Sequence, residues 1–154
     1  MSVLNQTMGR FPFGIWIAFV ALILCFLAWL MQAYSLIDWE SAVKLGLQNG
    51  SFNGDSVDQA LATKEKGEAI ADLLWPLPIT FIAFVGLWRK KLYGLVASMM
   101  EFAICIYFPL FYVFQLWDTY LDTALGAVFL WATSSVFGII GLWVNDKWEV
   151  QEIT

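Results

Sequence analysis

Residues 95–111 read LVASMMEFAICIYFPLF, an apolar run interrupted by one acid, Glu101. A helix on the surface of a soluble domain alternates polar and apolar faces at a period of 3.6, and this run does not. It continues in both directions, to Leu92 and to Trp117, before charge returns. Apolar stretches of roughly eighteen residues or more are long enough to cross the hydrocarbon of a bilayer.

The rest of the chain repeats the pattern. Of its 154 residues 60% are hydrophobic and 14% charged, against about 25% charged in a typical soluble domain. Spans are expected at about 11–34, 69–88, 92–117 and 123–144, joined by a long loop at about 35–68 and two short ones. Each span covers about 30 Å at 1.5 Å rise per residue. A backbone in hydrocarbon must satisfy its own hydrogen bonds, so the spans are helices. The first exceeds the short apolar core of a signal peptide and ends in Trp29, Gln32 and Tyr34, so it reads as a retained span. The expected fold is all-α: one polytopic domain over 1–154, a four-helix transmembrane bundle.

Within the loop, DWESAVKLGL fits a short amphipathic helix capped by Asp38. NGSFNGD is turn chemistry. Ser56 and Gln59 carry a capping pattern for a second short helix. NGS at Asn49 is a glycosylation sequon.

Basic residues set the expected orientation. Arg10 precedes the first span, Arg89, Lys90 and Lys91 join the second and third, and Lys147 follows the fourth; the loop between the third and fourth holds Asp118 and Asp122 instead. Both termini are therefore expected on the cytoplasmic side, with the 35–68 loop outside. Trp29, Trp75, Trp88, Trp117, Trp143 and Trp148 fall near predicted interfaces, as aromatic belts do. FVGLWRKK and IIGLWVNDK end the second and fourth spans, a faint internal echo.

Composition narrows function. A net charge of −5 opposes nucleic-acid binding, which needs a basic face. The absence of histidine removes histidine-ligated metals and His-based triads. No nucleophile motif, metal-ligand set or phosphate loop is present, so no catalytic residue, metal ligand or cofactor is assigned. Cys25 and Cys105 lie at matching depth in two parallel spans and could touch, but buried cysteines are usually small hydrophobes.

Glu101 remains. It lies roughly 15 Å beyond Lys91 by helical rise, and a charged acid at that depth costs about 2.5–3.5 kcal/mol. Gly94, Ser98, Glu101, Cys105 and Phe108 share its helix face, and a stripe of small residues permits close helix approach. Thr80 and Ser134, with Thr133 and Ser135 beside the latter, match Glu101 in depth. Glu101, Thr80, Ser134 and Ser98 are thus the expected ligand- or partner-binding residues, with Asp72 as a shallower acid near water. Pro76 and Pro78 early in the second span and Pro109 in the third interrupt helical bonding.

No lysine or arginine reaches the depth of Glu101. The first expectation is a non-enzymatic accessory subunit, meeting other membrane subunits or copies of itself in the lipid bilayer through its helix faces and Glu101. The second is binding or transport of a small lipophilic or cationic ligand, with proton coupling. A lipid-modifying acid–base enzyme comes a distant third.

Overall fold

A computed structural model describes residues 3–118 and 120–145. It is mostly helical, 80%. Four helical stretches are long and apolar enough to cross a membrane: Phe13–Ile37, Ser56–Trp88, Leu92–Gln115 and Leu121–Trp143. Lys147 and Trp148, used above for orientation and for the aromatic belt, lie outside the described residues.

The chain divides into two compact units, one of Met1–Cys25 with Ile79–Thr154 and the other of Phe26–Pro78. In the first, a two-residue antiparallel pair, β1 (Thr7–Met8) and β2 (Phe11–Pro12), precedes helix α1 (Phe13–Ile37), which continues into the second unit. The pair delays the helix to Phe13, immediately after Pro12. The second unit also holds α2 (Trp39–Lys44) and α3 (Ser56–Leu74), and α4 (Pro76–Trp88) follows. The first unit is completed by α5 (Leu92–Gln115), α6 (Leu121–Ala127), a π-helical turn over Val128–Ala132 and α7 (Thr133–Trp143).

Two boundaries differ from the sequence reading. The helix that leads into the second span begins well before residue 69: α3 is helical from Ser56 and breaks at Trp75. Pro76 explains the interruption: it opens α4 at a position where its missing N–H costs nothing, and it biases Trp75 away from helical geometry. The cap of α3 is Asp55, not Ser56; its carboxylate accepts from the N–H groups of Val57 and Asp58 at 2.8 and 3.0 Å.

In the second unit, Asp38 caps α2 by accepting from the Ser41 N–H at 3.1 Å. Bonds from the Ser41 side chain and backbone hold the Asp38 carboxyl below the usual carboxylate range, and the charge of Lys44 adds to this. Gly46, at φ +71°, closes the helix in the left-handed conformation that favours glycine. Buried Glu65 ties down the turn that follows, accepting from the backbone N–H groups of Asn49 and Gly50 and from the Asn49 side-chain amide at 2.7 Å. The sequon nitrogen of Asn49 is thus engaged inside the fold. Glu40 holds the next residues, Ser51 and Phe52, in the same way.

In the first unit the two GLW tripeptides do the same job. Leu87 and Leu142 are buried while Trp88 and Trp143 face outward. Gly86 lies against Gly94, and Gly141 against Gly14; a Cβ on any of the four would collide with the opposing backbone. Lys90, at φ +55°, turns the chain between α4 and α5. Beside it the Arg10 guanidinium donates to the Trp88 carbonyl at 2.9 Å and stands over the rings of Trp88 and Phe11. This aromatic clamp keeps the arginine at the end of the apolar stretch, where a cation on an aromatic face is favourable.

Candidate functional site

Helix α5 turns one stripe inward: Gly94, Ala97, Ser98, Glu101, Phe102, Cys105 and Pro109 are buried. The stripe holds the small residues and the acid together, and the large side chains Met100, Tyr107, Leu110 and Phe114 point outward. Glu101 is 0% exposed. One turn on, the Cys105 thiol donates to its Oε1 at 3.8 Å. One turn back, the Ser98 hydroxyl donates to the Gly94 carbonyl at 2.7 Å and so satisfies its own helix, as serine in membrane helices commonly does.

Cys25 of α1 joins this pair. Cys25, Glu101 and Cys105 bring one donor atom each, and all three atoms lie within 4.8 Å of one another. Cys25 is fully buried and meets the Ser135 hydroxyl at 3.8 Å. Three helical elements therefore contribute to one sealed polar centre: α1 through Cys25, α5 through Glu101 and Cys105, and α7 through Ser135.

The π turn helps to set that geometry. Its Trp131 indole N–H donates to the Leu24 carbonyl at 3.2 Å, fixing the residue next to Cys25. The Thr133 hydroxyl bonds back five residues to Val128, the spacing that a widened turn provides. Gly138 then accepts the Phe102 ring and Ala21 so closely that a Cβ would have no room. These contacts lock the rotation of α7 and aim Ser135 at Cys25.

The residues singled out from sequence are distributed as follows. Glu101 and Ser98 are buried on the inward stripe, and Thr80 is fully buried on α4 in the same unit. Ser134 does not reach the centre; it is half-buried and its hydroxyl donates to the Trp131 carbonyl at 3.0 Å. Its neighbour Ser135 takes the inward position instead. Asp72 belongs to the second unit and is buried at 4% exposure, not water-facing as its place in the chain suggested. Cys25 and Cys105 were visible as a depth-matched pair, but nothing along the chain distinguished them from ordinary apolar filling.

No family model, curated protein or solved structure matches this chain.

Proposed function

We propose that the chain is a multi-pass membrane protein with four spans in a bundle, and that its centre of Cys25, Glu101, Cys105 and Ser135 binds and transports a small cation, a proton included. The observation that carries this reading is the complete burial of the Glu101 carboxyl beside two thiols. An ionisable group kept at membrane depth against its desolvation cost is a functional candidate. The centre is compact and draws on helices that come from both ends of the chain, so a relative movement of those helices would open or close it.

The accessory-subunit reading is weaker on the same ground. It used Glu101 as the pairing point for a partner's cation, and a carboxyl sealed inside its own unit offers a partner no direct approach. That reading then rests on outward apolar side chains such as Phe114, Phe129 and Trp143, which acyl chains cover as well as another subunit would.

Flux tests the proposal. Protein reconstituted in liposomes with an internal pH dye should pass protons, alone or in exchange for a cation, under an imposed gradient. Glu101→Gln should lower that flux by about tenfold or more, since it removes the one ionisable carboxyl that the described residues bring to the centre. Equal flux in the two proteins, or none above empty liposomes in either, would sink the reading.

The proposed orientation places both termini and the 89–91 turn on the cytoplasmic side, by the excess of lysine and arginine there. A single cysteine at position 55, in a background with Cys25 and Cys105 replaced by alanine, should react with an impermeant maleimide only from outside. Labelling from the cytoplasmic side alone would reverse the orientation.

A further inference from the structure

The donor set of the buried centre has a chemistry of its own. Two thiols and a carboxylate lie within 4.8 Å of one another. Sulfur donors favour thiophilic ions over Mg²⁺ or Ca²⁺, which take oxygen. Tetrahedral Zn²⁺, with bonds of about 2.3 Å to sulfur and about 2.0–2.2 Å to oxygen, sets its ligands roughly 3.6–3.8 Å apart. The Cys105 Sγ to Glu101 Oε1 distance is 3.8 Å, as is that from Cys25 Sγ to the Ser135 hydroxyl. The two other pairs among the three ligands, Cys25 with Glu101 and Cys25 with Cys105, lie within 4.8 Å, and small side-chain rotations would bring them to the same spacing.

We infer that Cys25, Glu101 and Cys105 form a binding site for a thiophilic divalent metal ion of the Zn²⁺ class, with the Ser135 hydroxyl or a water in the fourth position. This rests on the reading of the centre as a cation site and names the cation. Charge balance favours a divalent ion. Coordination takes both thiols as thiolates and Glu101 as the carboxylate; starting from ionised Glu101, one M²⁺ enters as two protons leave, and the net charge of the buried centre does not change. In a medium of low dielectric such a neutral exchange avoids the large cost of creating an isolated charge. A Cu⁺ ion would leave the carboxylate oxygen unused, because that ion prefers sulfur alone.

The test uses full-length protein in detergent with a phosphine reductant, and Cd²⁺ as the spectroscopic stand-in for Zn²⁺. Titration should give one equivalent bound, with thiolate-to-Cd²⁺ charge-transfer absorption. Cys25→Ser and Cys105→Ser should each lose most of that absorption. Glu101→Gln should bind about tenfold or more weakly, the scale seen when groups at a metal site are removed. Ser134→Ala, outside the centre, should titrate like the parent. Zn²⁺ should also raise the thermal midpoint of the unsubstituted protein, and a chelator should reverse this, a readout that needs no substitution. Binding unchanged in both cysteine variants, or Ag⁺ bound in strong preference to Cd²⁺, would overturn the assignment. No charge-transfer absorption, together with proton flux that still requires Glu101, removes the metal alone; no absorption and no Glu101-dependent flux removes the cation site as well.

Discussion

Glu101→Lys is expected to prevent recovery of stable, monodisperse protein, while Glu101→Gln yields folded protein close to the parent in thermal midpoint. The side chain at 101 has no exposed surface, and its neighbours are the thiols of Cys25 and Cys105. Glutamine keeps the shape and one acceptor oxygen for the Cys105 thiol, so its cost should stay within about 1 kcal/mol. Lysine brings an ammonium to membrane depth, where insertion scales charge about 2.5–3.5 kcal/mol. Its longer side chain adds an overpacking cost of about 1–3 kcal/mol. Together these are a large share of the roughly 5–15 kcal/mol by which a domain is stable. Size-exclusion profiles and thermal melts in mild detergent make the comparison. Similar behaviour of the two variants would mean that the centre opens to water and tolerates charge, against the sealed geometry described above.

The second large effect is expected at the glycine crossings. Gly94→Val should destabilise the protein by about 3 kcal/mol or more, since the new side chain meets the Gly86 backbone rather than a movable side chain. Gly14→Val should behave alike, because even a Cβ there would come 2.5 Å from the Gly141 carbonyl oxygen. Gly67→Ala is the opposite case. That glycine lies within α3 and faces open space, so alanine should raise stability by roughly 0.5–1 kcal/mol through helix preference alone. Thermal midpoints of the three variants test the ordering. If Gly94→Val melts with the parent, α4 and α5 do not approach at these glycines.

Much of this molecule follows from local properties of the chain. Each span is a count of consecutive apolar residues, and hydrocarbon thickness gives that count a physical meaning. The inward stripe of α5 was legible because Gly94, Ser98, Glu101 and Cys105 recur at helical spacing and a buried acid must avoid lipid. Helical rise also converts position in the chain into distance along a span; that is how Cys25 was paired with Cys105, and their sulfur atoms lie within 4.8 Å of each other.

Other features depended on contacts between distant segments. Ser134 and Ser135 lie at nearly the same depth and flank the same helix face, so hydropathy cannot choose between them. The choice is made by Phe102 and Ala21 closing on Gly138 and by Trp131 reaching the Leu24 carbonyl. Asp72 looked solvent-facing by its position in the chain and is buried by its fold. Helix α3, from Ser56 to Leu74, crosses a polar-to-apolar boundary that composition alone reads as a break. Sequence determined that four stretches are long and apolar enough to cross a membrane, and it ordered the polar groups by expected depth along each of them, because those quantities run along one axis. Tertiary structure decided how each helix is rotated and which helices touch at that depth, because rotation and neighbourhood are set by the fit of glycine backbones and aromatic rings from segments far apart in the chain.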